Sequence, residues 1–224
     1  ALFRSGRARR MLHPAQLRHR LQFVLPAFGV WVTSYELVAR YASQLPAADL
    51  TTAWDREIPF RPQWIWIYML TYVLPFVATL VVQDDRRVYR ALVAVGLASA
   101  SAYVMYIVFP VSSPRALVGD SLSDQLVLLQ QRLDYPANQL PSLHVANAWI
   151  LYWTVAGERR ERWFHALCAA LALAITLSTV FVKQHIVPDV LTGVVWGGTA
   201  YLASGKVYAR LRTHVPVTQQ PCPK

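Results

Sequence analysis

The 224-residue chain has little charge. Only 15% of its residues are Asp, Glu, Lys or Arg, against roughly 25% in ordinary globular proteins. It has almost no cysteine either: Cys168 and Cys222 are the whole supply, which excludes a disulfide framework. No internal repeat and no low-complexity segment interrupts it. What fills the chain instead is apolar, at 55%, and that excludes a disordered segment, because such segments are apolar-poor. Acidic residues are scarce beside basic ones, 12 against 22, which leaves a net charge of +10. That excess raises the question of a nucleic-acid partner, and the position of the charges answers it.

Six apolar stretches, at 21–42, 64–83, 90–111, 142–157, 163–182 and 186–205, approach the roughly 20 helical residues that cross a bilayer core. Leu167 to Val182 contains no charge at all. The 142–157 stretch is short and begins with the polar Pro141-Ser142-Leu143-His144. The expected fold is therefore all-α, an integral membrane bundle of six transmembrane helices over 21–206. A basic cytoplasmic segment (1–20) precedes it and a cytoplasmic tail (207–224) follows. The first stretch is too long for a signal peptide and carries charges. Those charges, Glu36 and Arg40, stand four apart on one helical face and are expected to turn toward the bundle interior or the interface.

With the first 20 residues inside, 16 of the 22 basic residues fall in cytoplasmic segments. Arg40, Arg56, Arg61, Arg115, Arg132 and Lys183 fall outside. Every loop obeys the positive-inside rule. The net charge then reflects topology and contact with anionic headgroups rather than nucleic acid. The expected place is a bacterial inner (plasma) membrane, with both termini cytoplasmic and membrane lipids as neighbours. The oligomeric state is left open.

This topology also sorts the histidines. His13, His19, His165 and His214 fall inside, while only His144 and His185 fall at the outer ends of spans. Asp189 follows His185 by one helical turn. A carboxylate at the start of a membrane helix is costly and calls for a partner or a task. Read singly, such residues are most often interfacial or structural, and His-x-x-x-Asp alone could be half of a metal site. As a set on one face they point to chemistry.

Pro141-Ser142-Leu143-His144 and His185-x-x-x-Asp189 resemble two signature motifs of the type 2 phosphatidic acid phosphatase superfamily, six-helix lipid phosphatases and phosphotransferases. Leu143, where many members have glycine, is similar to the inositol phosphorylceramide synthase-like branch, as is Asp55-Arg56-Glu57-Ile58-Pro59-Phe60-Arg61-Pro62. The sequence departs from the family in two places. No lysine precedes Arg115 at the family's spacing, and Ser178-Thr179 stand where a Ser-Arg pair is usual. The resemblance implies His185 as nucleophile, Asp189 as the carboxylate that fixes its tautomer, and His144 as proton donor and acceptor. Arg115, Lys183 and Ser142 would hold phosphate. Pro141 would open the fourth helix, whose free N–H groups would face the anion. The 112–140 loop suits a lid, a headgroup site or a connector. No metal and no cofactor is expected. The expected activity is hydrolysis of a lipid phosphate or diphosphate through phosphohistidine. The alternatives are transfer of a phospho-headgroup such as phosphoinositol to a lipid or sugar hydroxyl, and a non-catalytic membrane protein or transporter.

Overall fold

A computed structural model describes residues 13–158 and 161–214, with side chains as far as Leu211. Arg4, Arg7, Arg9, Arg10, Arg159, Arg160, Cys222, Lys224 and the Arg212 side chain, and with them the outer parts of the expected terminal segments, lie outside the described residues.

The described chain is helical. The long elements are α1 (Pro14–Ala42), α4 (Leu70–Val81), α5 (Asp85–Val108), α7 (Leu143–Ala156), α8 (Arg162–Phe181) and α9 (Val187–His214). Shorter helices fill the connections: α2 (Ala53–Glu57), a 3₁₀ turn (Pro62–Trp64) running into α3 (Ile65–Tyr68), and α6 (Leu122–Leu133). Five of the six apolar stretches are each one helix with shifted ends, and the 64–83 stretch is divided among the 3₁₀ turn, α3 and α4. Asp84 caps α5 by accepting from the Arg86 N–H, so α5 starts upstream of the apolar run. The α9 ladder continues through Lys206 and Arg210 to His214, so the expected tail at 207 begins as helix. Hydropathy marks where the bilayer would end, whereas capping and the hydrogen-bond ladder mark where the helix ends.

Among the described residues, four segments are long and apolar enough to cross a membrane: Pro14–Ala42, Pro62–Val81, Asp85–Val108 and Arg162–Phe181. They mark a membrane protein. α7 has only 14 residues, about 21 Å of helix against a core of about 30 Å. α9 has the length, but Asp189, Thr192, Gly193, Gly197, Gly198 and Thr199 dilute its apolar half.

Polar contacts sort the loops to two ends. At one end the buried Arg20 of α1 donates to the Asp85 carboxylate (2.5 Å) and to the carbonyls of Thr79, Val82 and Gln83. Arg87 pairs with Glu158 from the α7–α8 turn at 3.8 Å. At the other end Val111 bridges Ala48 and Asn138, and the Ser142 N–H donates to the Asp189 carbonyl. The expected inner loops thus gather on one side. Glu36 is half-buried and Arg40 is exposed near the end of α1, so Arg40 does not turn into the bundle interior. Small residues set the contact that matters most for the site. A Cβ on Gly193 would lie 2.7 Å from the Ser142 carbonyl oxygen, and one on Gly197 would lie 2.6 Å from that of Ala146. The Gly-x-x-x-Gly spacing lets α9 press onto the start of α7.

Candidate active site

α7 brings His144 to the site. It starts two residues later than Pro141 would place it. Ser142 is the N-cap, its hydroxyl accepting from the Val145 N–H, and Leu143 is the first helical residue. Serine satisfies an orphan donor that proline cannot cap, so Pro141 stays outside and its carbonyl accepts from the Tyr106 hydroxyl at 2.7 Å. The Ser142 hydroxyl and N–H are both engaged inside the fold and do not point at open space.

His185 sits in the turn between α8 and α9. Lys183 takes positive φ (55°) there, and the Gln184 and His185 N–H groups both donate to the Thr179 carbonyl. Asp189, in the first turn of α9, accepts from the Ile186 N–H at 3.1 Å. From α2, the Asp55 carboxylate accepts from the Val187 N–H at 2.7 Å. Two carboxylates therefore tie down the start of α9, where the helix dipole favours negative charge.

These elements bring the two histidines and the aspartate together. His185 Nδ1 lies 3.4 Å from Asp189 Oδ2, and His185 Nε2 lies 3.4 Å from His144 Nδ1. All three are buried: 4% of His185, 3% of His144 and none of Asp189 is exposed. Behind His144, the hydroxyls of Tyr68 (2.8 Å) and Tyr72 (3.2 Å) converge on Nε2. The Gln130 amide donates to both hydroxyls, at 3.3 and 3.1 Å. A hydroxyl that accepts from Gln130 can donate to the single lone pair of Nε2, while the Tyr72 hydroxyl also lies 3.5 Å from Gln130 Oε1, to which it can donate instead. The tautomer with Nε2 unprotonated and the His144 proton on Nδ1, facing His185, fits these contacts. A carboxylate at His185 Nδ1 likewise holds that ring's proton there and leaves the His185 Nε2 lone pair toward His144.

Sequence reasoning missed Tyr68, Tyr72 and Gln130, together with a second group beside them. Asp134, at the end of α6, accepts from the Tyr35 hydroxyl (3.0 Å) and from Asn138 (2.9 Å). Burial pushes its carboxyl up; the Asn138 hydrogen bond, His185, the Tyr35 hydroxyl and Arg115 pull the other way. A signal did exist: Tyr68 and Tyr72 stand four apart in an apolar stretch, as do Gln130 and Asp134 on α6, so each pair shares a helical face. The 112–140 connection is folded over the site through these residues.

The two expected cations lie near but do not touch the histidines. The Arg115 guanidinium donates to the carbonyls of Gln131 and Asp134, and burial lowers its pKa against the pull of Asp134. Lys183 Nζ donates to the Asp55 carbonyl at 2.6 Å, and burial lowers its pKa too. No three His, Cys, Asp or Glu side chains converge as a metal set among the described residues.

Residues 57–203 match the PAP2 superfamily. The chain belongs to the PAP2 superfamily. No curated protein matches it. PAP2 superfamily members are phosphatases or phosphotransferases. The matched segment contains the His144–His185–Asp189 array, Arg115 and Lys183, and also Tyr68, Tyr72, Gln130 and Asp134, but it leaves out α1 and so Tyr35.

Proposed function

We propose that the protein is a lipid phosphatase that hydrolyses a lipid phosphate or diphosphate through a phosphohistidine on His185, without a metal. The observation that carries this reading is the directed array Tyr68/Tyr72–His144–His185–Asp189. In the tautomers that fit these contacts, the lone pair of one imidazole lies beside the N–H of another. The His185 Nε2 lone pair attacks phosphorus, and the bond to the leaving alkoxide oxygen breaks. For this step His144 takes up a second proton on Nε2, brought in with the phosphate monoanion, so that its Nδ1–H protonates that oxygen and leaves the ring neutral. Neutral His144 then takes a proton from water as the water oxygen attacks phosphohistidine, which releases phosphate and restores both rings. Asp189 stabilises the positive charge that develops on His185. Covalent catalysis divides the displacement into two easier steps. The positive charge that phosphoryl transfer needs comes from Arg115, which can grip oxygens bidentately, and from Lys183. Both exchange their present carbonyl partners for phosphate, while Ser142 serves by capping the helix that carries His144.

Leu143 and the 55–62 stretch favour a second reading, a phosphotransferase of the inositol phosphorylceramide synthase-like kind, in which a hydroxyl replaces water in the second step. An assay of the purified protein on a panel of lipid phosphates separates the two. Free phosphate released without an acceptor, insensitive to EDTA, is expected; headgroup transfer that requires inositol or another hydroxyl supports the second reading. Activity lost to EDTA and restored by a divalent metal contradicts the metal-free mechanism and makes His185 and Asp189 metal ligands.

Tyr68→Phe with Tyr72→Phe removes both donors to His144 Nε2 and lets the ring proton move to the wrong nitrogen. Each lost hydrogen bond is worth about 0.5–1.5 kcal/mol. A fall in kcat of roughly 10- to 100-fold with little change in KM is expected. Unchanged kcat would show that these hydroxyls do not set the tautomer.

In the proposed topology six helices over 21–206 span the bilayer, with the basic termini cytoplasmic and the site at the outer face of a bacterial inner membrane. Two cysteines test it in a chain with Cys168 and Cys222 replaced. Leu117 is exposed on the site side, and Glu161 is exposed on the side of the basic loops. Leu117→Cys is expected to react in intact cells with an impermeant thiol reagent, and Glu161→Cys only after the membrane is opened. The reverse pattern would turn the site toward the cytoplasm.

A further inference from the structure

α6 (Leu122–Leu133) serves the site with one side and faces away from the described protein with the other. Ser121 caps it and Asp124 completes the capping box, so its start is fixed. The side turned into the fold bears Asp124, Val127 and Gln130, all buried. Gln130 bonds the Tyr68 and Tyr72 hydroxyls behind His144. On the opposite side stand Leu122, Leu129 and Leu133, spaced by seven and four residues and so within about 40° of one another around the helix. They are 64%, 49% and 57% exposed. Exposed Gln125 and Arg132 flank them along one edge. A helix on a water-washed surface turns polar residues outward, whereas a row of exposed leucines marks an interaction face.

The surface that this row continues identifies its partner. The Trp66 indole N–H donates to the Ser123 hydroxyl at 3.2 Å, next to Leu122. Trp66 belongs to Pro62–Val81, one of the segments able to cross a membrane. Along that segment Trp66, Val73, Val77 and Leu80 are all exposed, at spacings of seven, four and three that keep them on one face. In a membrane that face meets lipid. The leucine row of α6 starts where it ends, at a tryptophan, the residue type enriched at the membrane–water boundary. We propose that α6 lies along the bilayer surface on the site side, with Leu122, Leu129 and Leu133 at the headgroup–acyl boundary and Arg132 reaching lipid phosphates. This contact holds Gln130 against Tyr68 and Tyr72, so the lipid surface steadies the partners of His144. Docking stands on the exposed face alone, and its effect on turnover rests on the lipid phosphatase reading.

The test uses the full chain with Cys168 and Cys222 replaced, reconstituted in vesicles of phosphatidylethanolamine and phosphatidylglycerol. Nitroxide labels go singly on Leu122→Cys, Leu129→Cys and Leu133→Cys. Asp120→Cys, exposed just before the helix, is the reference. Relaxation by oxygen, which concentrates in lipid, and by an aqueous nickel complex reads the depth of each label. The three leucine positions are expected about 5–10 Å into the headgroup–acyl boundary, and the reference in water. Leucine-position labels as open to nickel as the reference overturn the proposal. So do labels shielded from both reagents, and spin–spin broadening among those assigns the face to a second copy of this chain. Leu129→Glu with Leu133→Glu puts two charges into the boundary. Turnover of a water-soluble aryl phosphate in the same vesicles is then expected to fall about two- to tenfold, the equivalent of one hydrogen bond lost around His144. Leu129→Met with Leu133→Met keeps the face apolar and is expected to keep the rate. Equal loss in both pairs, or loss in neither, overturns the link between this face and Gln130. If the unsubstituted chain turns over no aryl phosphate, the phosphatase reading fails, while the labels still decide the docking.

Discussion

His185→Ala is expected to lower turnover of any lipid phosphate by about 10⁴–10⁶-fold, the range seen when a member of a hydrolase nucleophile array is removed. His185 has the one imidazole lone pair that is both held in place by a carboxylate and directed at a proton donor. Alanine leaves Asp189 buried without its imidazole, so the variant must first be shown to be folded. His185→Gln is the companion, because its amide can still donate to Asp189. Comparable loss in both variants assigns the effect to the missing nucleophile. Substantial activity in either folded variant contradicts covalent catalysis at this residue.

His144→Ala is expected to cost about 10²–10⁴-fold, the share general acid–base catalysis usually supplies, and to do so unevenly. A lipid alkoxide is a poor leaving group and needs the Nδ1 proton. A nitrophenolate leaves without it. Turnover of lipid phosphates should therefore collapse while formation of phosphoenzyme from an activated aryl phosphate survives. Equal losses on both substrates would make His144 a phosphate-binding group rather than a proton donor.

The parts of this site visible in the sequence are those fixed by local spacing. Asp189 had to lie beside His185, because four residues is one helical turn, and the charge bias already sorted His144 and His185 to one face. Their mutual contact depends on how closely α7 and α9 approach, which Gly193 and Gly197 set; no single segment encodes that distance. Tyr68, Tyr72 and Gln130 were hidden for a related reason. A tyrosine in an apolar stretch reads equally as core or interface, and its hydroxyl acquires a role only when α6 folds back to place Gln130 against it. Arg115 and Lys183 show the opposite failure. The sequence put two cations on the right side, yet in the fold each is bonded to a backbone carbonyl, so their use as phosphate ligands requires those bonds to exchange. The start of α7 departed from the expectation at Pro141 because Ser142 caps the helix, and α9 ran past its apolar stretch to His214 because the hydrogen-bond ladder continues.

The most direct test of the phosphohistidine claim is to trap the intermediate. His144→Ala lacks the group that would activate water, so phosphate transferred from an activated aryl phosphate should remain on the enzyme. After rapid denaturation at alkaline pH and proteolysis, mass spectrometry is expected to place one phosphoryl group on the peptide containing His185, lost on brief acid treatment and absent when His185→Gln is added. Turnover of the same substrate with no phosphoryl group on His185, or with the group on another residue, would contradict it.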